Sequence, residues 1–426
     1  MSEPPAPLRI ELPPWMVEPS TRAVLDALAA GAVEARFVGG VVRNALLGLS
    51  TGGRAGTDID IDLATPAPPK RVIELLEHRG IKVIPIGLDH GTVTAIPAAQ
   101  PGEPVRHFEI TTLRRDVETY GRRARVAFDA DWAADAARRD FTINAIYLSP
   151  EGIIDDPTGG LADLRARRVR FVGDPAIRIA EDVLRILRYY RFEARFGAGK
   201  GDPQARAACR AAAQLLLSLS AERVARELIR LLETADPRAA LRMMADDGVL
   251  AVILPEARRL DRLQRMIEIE PEPDPLRRLA AVIAVDAAAV QVLSDRLRFA
   301  NAWRVRLRGL VPPWPFDPNG DDVTQRRALY RFGADRYRDL ALLQTAEGVV
   351  SSGQLAGILA LAGDWTPPMF PLTGRDVTAL GISPGPRVGT LLDAVEHWWE
   401  AADFAPDRTQ CLTRLAELVK KRDRSL

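Results

Sequence analysis

The sequence predicts an α+β head followed by a long all-helical remainder. Strand-like alternation is confined to the chain before Tyr147, apart from short signals at Ile153-Ile154 and at 169–172. From Pro175 onward the chain is rich in Ala, Leu and Arg at helical spacing. Between Asp58 and Leu63, acidic and apolar residues alternate with period two, the signature of a strand. A length of 426 residues accommodates two to four domains. A content of 47% hydrophobic and 27% charged residues is that of a soluble globular protein. No apolar run is long enough to span a membrane, and no basic-then-apolar leader opens the chain. Lys and Arg number 58 against 57 Asp and Glu, so any nucleic-acid site must rest on local patches rather than bulk charge. Cys209 and Cys411 are far apart and lack zinc spacing, which suits a reducing compartment such as the cytoplasm.

Taken in order, residues 1–19 are Pro-rich and predict an irregular lead-in. Pro19-Ser20-Thr21 opens a helix that ends at Gly31. Phe37-Val38-Gly39-Gly40 predicts a strand ending in a glycine turn, and the next helix would aim its free N–H groups at a phosphate. In the acidic strand that follows, Asp58, Asp60 and Asp62 share one face, with neighbours about 7 Å apart. They repel unless cations lie between them, and two Asp at i and i+2 can share divalent metals that bridge phosphate oxygens. The alternative is an edge strand blunted by charge. Lys70 to Gly80 predicts a helix, and Ile81–Ile86, Gly91–Ile96 and Val105–Leu113 predict strands. His90 is a turn residue or a base. Glu109 is either a solvated strand residue or a third carboxylate, able to take a proton from an attacking ribose hydroxyl. Arg114 to Asp131 carries five arginines and predicts a mobile charged loop.

Arg138-Arg139-Asp140-Phe141-Thr142-Ile143-Asn144-Ala145 is the next distinctive string. Asp140 and Asn144, at i and i+4, would share a helix face with tips suited to ribose hydroxyls, and Arg139 suits a triphosphate. A helix cap with basic neighbours is the plainer alternative. Gly173-Asp174-Pro175 predicts the start of one long helix that stops at Gly197. Arg178, Glu181/Asp182, Arg185, Arg188, Arg191 and Arg195 form a polar stripe along it, and its run of arginines suggests phosphate. Asp182 and Arg185, at i and i+3, would project together. Asp accepts from an exocyclic amine and Arg donates to a ring nitrogen or carbonyl, so the pair matches cytosine and adenine but not uracil or guanine. The same spacing also describes a surface ion pair worth about 0.2–0.5 kcal/mol. Ser220 to Leu228 predicts a supporting helix capped by Ser220. Beyond about 232 no catalytic string stands out. Leu372 to Asp376 starts a short helix, and the Ser383-Pro384-Gly385-Pro386 turn precedes another.

These strings together resemble the class II tRNA nucleotidyltransferases, the CCA-adding enzymes, and their bacterial poly(A) polymerase relatives. The resemblance rests on GGVVRNALLG at 39–48, DIDLAT at 60–65, HGTVT at 90–94, EITTLR at 109–114, RRDFTINA at 138–145, EDVLR at 181–185 and SAERVAREL at 220–228. It is specific from about 37 to 228 and looser beyond. It implies a polymerase-beta-like nucleotidyltransferase head over 1–148, a helical neck over 149–231, a body over 232–350 and a tRNA-binding tail over 351–426. Its carried-over roles give Mg²⁺ to Asp60 and Asp62, with Asp58 a bystander, and assistance in deprotonation to Glu109. The triphosphate falls to Gly39, Gly40, Arg43 and Arg139, with Arg188 and Arg191 touching phosphate. Ribose falls to Asp140 and Asn144, and base reading to Asp182 with Arg185. The segment from 114 to 131 resembles a loop needed for the final A, and 155–160 a hinge. Two departures are Asn44, where the family usually has Asp, and Tyr120-Gly121, where an acidic-Gly pair is usual. The implied activity is template-independent addition of CCA to the 3′ end of tRNA from CTP and ATP, with no membrane and no protein partner. The alternatives are a poly(A) polymerase, an enzyme adding only CC or A, and a non-catalytic tRNA-binding protein.

Overall fold

A computed structural model describes residues 8–49, 60–85, 88, 91–99, 104–120, 123–128 and 131–423. Asp58, His90 and Gly121 lie outside the described residues, as does the side chain of Asp60. The chain forms two compact units, residues 1–255 and 256–426.

The first unit is built on a seven-stranded sheet. Its strands are β1 (Arg36–Val38), β2 (Asp60–Thr65), β3 (Lys82–Ile84), β4 (Thr92–Ile96) and β5 (His107–Thr112), then β8 (Tyr147–Leu148) and β9 (Ile154–Asp155); β6 (Arg114–Tyr120) and β7 (Arg123–Phe128) form a separate hairpin. The sheet order is β3-β4-β5-β2-β1-β8-β9, and only β2 and β5 run parallel. β2 therefore lies inside the sheet, not at its edge. Ile61 and Leu63 are buried while Asp62 between them is half-buried, as period two requires. Phe108 and Ile110 on β5 are buried around the exposed Glu109. Each such buried side chain contributes about 1.5–3 kcal/mol. A one-residue slip would put Asp62 into the core, so the register is strongly fixed.

From Leu8 onward the lead-in is more ordered than its proline content suggests. Arg9 pairs with Ile153, Ile10 N–H donates to the Gly152 carbonyl at 2.9 Å, and α1 (Pro14–Val17) precedes α2 (Pro19–Ala30). α3 (Gly40–Leu46) and α4 (Pro69–His78) complete the first part of the head. The segment expected to be a loop from 114 to 131 is instead the β6–β7 hairpin, followed by α5 (Trp132–Ala137). The stretch 169–172 is not a strand; only Phe171 bridges, to Phe141.

α6 (Gly160–Arg165) leads to the largest departure from expectation. The predicted long helix is two helices, α7 (Pro175–Glu181) and α8 (Arg185–Phe196). The break is at Asp182, with φ −149° and ψ 106°. Its carboxylate accepts from the Leu184 N–H at 3.1 Å and from Arg223 at 2.8 and 2.9 Å. An Asp that bonds local backbone competes with the helical ladder, and here a distant arginine reinforces it. Phe192 and Tyr189 of α8 pack with Phe141 and Phe171, with Phe141 centred 4.9 Å from both Phe171 and Phe192. That aromatic cluster joins the 138–145 string to α8. α9 (Pro203–Ala212), α10 (Ala221–Leu232), α11 (Arg238–Asp246) and α12 (Val249–Ile253) close the unit. Buried Asp247 is satisfied by Tyr190 at 2.8 Å, Arg206 at 2.8 Å and Arg210 at 2.7 Å, as a buried carboxylate must be.

The second unit is helical: α13 (Leu260–Ile269), α14 (Pro275–Val282), α15 (Ala287–Arg296), α16 (Asn301–Arg308), α17 (Asp322–Glu347, interrupted at Gly333), α18 (Ser352–Asp364), α19 (Gly374–Thr378), α20 (Pro386–Ala401) and α21 (Arg408–Asp423). Buried Arg262 caps the end of α14, donating to the carbonyls of Ala280, Ala281 and Ile283 at 2.6–2.8 Å. The expected short helix at 372–376 is α19, opened by a Thr373–Asp376 capping box. Leu391, Val395 and Trp399 of α20 pack with Cys411 and Leu415 of α21. No helix among the described residues is long and apolar enough to cross a membrane.

Candidate active site

The site forms where β1 turns into α3. Gly39 has φ +76° and ψ −135°, a conformation that favours glycine. A Cβ there would lie 3.0 Å from Asp62 Oδ2. The glycine turn and the acidic strand thus meet directly. Asp62 and Glu109 are register partners on parallel β2 and β5, so their carboxylates leave the same face of the sheet; Asp60 is paired with His107 in the same way. Asp62 and Glu109 are hard oxygen donors on one face, a donor set suited to a hard divalent cation.

Arg43, on the first turns of α3, is only 6% exposed. Its guanidinium lies 4.1 Å from the centroid of the Phe196 ring and 5.3 Å from that of Phe192. It donates to Asn144 Oδ1 and, at 3.1 Å, to Asn44 Oδ1. Its Nε has no acceptor among the described residues. Burial and then Arg195, Arg191 and Arg188 depress its pKa to about 9, against the pull of Asp140. Four arginines gathered over two phenylalanine rings make a concentrated positive field, which an anion relieves. Phe192 and Phe196 were not singled out by the sequence as site residues, and Arg195 was read only as part of the arginine stripe. Their signal was the spacing of Phe192 and Phe196 at i and i+4, which reads equally well as ordinary core.

Asp140 and Asn144 are brought together, though not on an α-helix. Thr142–Asn144 is a single 3₁₀ turn, and Asn144 Nδ2 donates to Asp140 Oδ1 at 3.0 Å. Asp140 also accepts from the Phe141 N–H at 2.9 Å and twice from Arg188. Burial would raise its pKa, but Arg188 and these bonds hold it down near about 2. Asp140 thus joins the 138–145 string to α8, engaged by Phe141, Asn144 and Arg188. Arg139 is likewise turned inward. It donates to buried Asp135 at 2.9 and 3.2 Å and lies over the Tyr147 ring. Burial disfavours its charge, but Asp135 more than restores it and raises its pKa. Arg139 therefore braces α5 against β8 through Asp135 and Tyr147.

The selector pair is separated by the break between α7 and α8. Asp182 is held by Arg223; Arg185 donates to Glu181 at 2.5 Å and to the Arg178 carbonyl at 2.9 Å. The two side chains are therefore not an ion pair. Arg191 is bound at 2.6 Å by buried Glu227. Arg223 and Glu227 sit at i and i+4 on α10, so this helix does more than support the neck: one face fixes two residues of the arginine-rich segment. Ser220 precedes it at the cap position without a side-chain cap bond.

The match with known proteins spans both halves of the chain. Residues 35–170 match the Poly A polymerase head domain, and 202–260 match the probable RNA and SrmB-binding site of polymerase A. The mitochondrial CCA tRNA nucleotidyltransferase 1 of Mus musculus is 32% identical, covering 89% of this chain and 86% of its own. The CCA-adding enzyme of Lacticaseibacillus paracasei is 30% identical, covering 88% of this chain and 90% of its own. The Bacillus stearothermophilus CCA-adding enzyme, solved in complex with CTP, superposes with a TM-score of 0.77 at 25% identity, over 96% of this chain and 100% of that one.

Proposed function

The chain belongs to the class II CCA-adding tRNA nucleotidyltransferases, and on that premise we propose that it extends the 3′ end of tRNA with C, C and A, without a nucleic-acid template. The observation that carries the reading is the meeting of Gly39 with Asp62, beside register-paired Glu109, with the arginine-surrounded Arg43 on the helix that Gly39 opens. It joins carboxylates for nucleotidyl transfer to cations for a triphosphate. The four-part division into head (1–148), neck (149–231), body (232–350) and tRNA-binding tail (351–426) is part of the proposal.

In this reading Asp60 and Asp62 would hold Mg²⁺, which would supply positive charge for the phosphates and lower the pKa of the attacking hydroxyl. Glu109, exposed and register-paired with Asp62, would take that hydroxyl's proton. Gly39 and Gly40 let the backbone approach the triphosphate, and Arg43, Arg188 and Arg191 supply charge to it. Asp182 and Arg185 read the base. In the structure Asp182 pairs with Arg223 and Arg185 with Glu181. Unpaired, buried Cys209 and Cys411 support a reducing compartment, the cytoplasm.

The test is incorporation into a tRNA transcript lacking CCA, with each nucleotide supplied alone. CTP alone should add two residues and stop, and ATP alone should add none. A tail that grows with ATP alone on unrelated RNAs would assign the chain to poly(A) polymerases instead.

A further inference from the structure

Arg43 sits where a guanidinium is hard to hold. It is nearly buried, and Arg188, Arg191 and Arg195 all repel it. A charge in such a place needs a fixed acceptor, or it swings toward water. Asn144 provides one and is itself 8% exposed. Both ends of its amide are used: the carbonyl oxygen accepts from Arg43, and the NH₂ donates to Asp140 at 3.0 Å. Because Asp140 can only accept and Arg43 can only donate, this orientation of the amide is the sole one that satisfies both neighbours. Asp140 is anchored in turn by Arg188 of α8. The result is a continuous chain, Arg43–Asn144–Asp140–Arg188, joining the glycine-turn helix to the helix that starts with Arg185.

We infer that Asn144, braced by Asp140, is a positioning residue that holds the Arg43 guanidinium over the Phe196 ring for the phosphates, and so couples the phosphate grip to α8. The inference rests on the proposed reading of Arg43 as a triphosphate ligand. It assigns the Asn144 amide to Arg43 rather than to ribose.

Pyrophosphate separates these roles, since it carries the phosphates but neither ribose nor base. Its affinity, with Mg²⁺ present, is measured by calorimetry on the full-length protein and on the Asn144→Ala, Asn144→Leu, Arg43→Ala and Arg43→Ala/Asn144→Ala variants. The Leu variant keeps the volume, and so guards against a collapse caused by a cavity alone. Affinities for CTP and 2′-deoxy-CTP are measured alongside. Losing the acceptor of a charged donor should weaken pyrophosphate by about tenfold or more in both Asn144 variants. The double variant should be no worse than Arg43→Ala, and the preference for CTP over deoxy-CTP should be unchanged. Wild-type pyrophosphate affinity in both Asn144 variants, with a collapsed preference for CTP over deoxy-CTP, would overturn the inference in favour of a ribose contact. Additive losses in the double variant would overturn it too, since Asn144 would then act independently of Arg43. If Arg43→Ala itself binds pyrophosphate normally, the reading of Arg43 fails, and the inference falls with it.

Discussion

At the residue scale, the protonation of Arg43 is the most exposed quantity. Burial and three neighbouring arginines bring its pKa to about 9, with Asp140 as the counterweight. The guanidinium nevertheless stays charged and attracts a triphosphate, so Arg43→Ala should weaken CTP affinity by about tenfold or more at neutral pH. Calorimetric titration of CTP into the parent and the variant checks this; equal affinities would refute it. The acidic strand gives a second prediction. Asp62 touches the glycine turn, so Asp62→Ala should abolish nucleotide transfer while Asp58→Ala retains it. The reverse result would show that the register of roles is displaced by two residues. Strand β2 and its carboxylates were legible because period-two alternation is a local signal. The inward turn of Arg139 was not, because its partner Asp135 is recognisable only once α5 and β8 are packed together.

At the element scale, α8 carries the chemistry on one side and the core on the other. Glu193 lies on its buried side, 4% exposed, and burial raises its pKa to about 7. Its folded pKa lies above the ordinary carboxyl value, so the native state binds the proton more tightly than the unfolded chain. That stabilisation is complete at low pH and is lost as pH rises through about 7. Glu193→Gln should therefore match the parent near pH 5 and exceed it at pH 8, by a margin on the order of 3 kcal/mol. Thermal melts at the two pH values decide it; an equal difference at both would contradict the account. The proposed base-reading role of Arg185 predicts that Arg185→Ala blurs discrimination against UTP more than it slows turnover, measured by competition between CTP and UTP. Unchanged preference would remove Arg185 from base reading. The helical periodicity around 175–197 was legible, but the break was not: the Arg223 contact that reinforces it comes from 41 residues further on. The 114–131 hairpin was misread for a related reason. Its dense charge masked the pairing of β6 with β7, which only the folded register reveals.

At the scale of the whole molecule, the α+β head and helical remainder were legible because the change in periodicity near Tyr147 is abrupt. The compact units divide at Pro255 and Glu256, inside the stretch expected to be the body. Composition does not mark that boundary, since helical, Ala- and Arg-rich sequence continues across it. The central claim concerns the product that the assembled site makes. The most direct measurement is end-sequencing of a tRNA transcript lacking CCA, after incubation with the full-length protein, Mg²⁺, CTP and ATP together. The account predicts ends that read CCA and grow no further. Ends that stop at CC, long A tails, or ends left unextended by a folded protein would each contradict it.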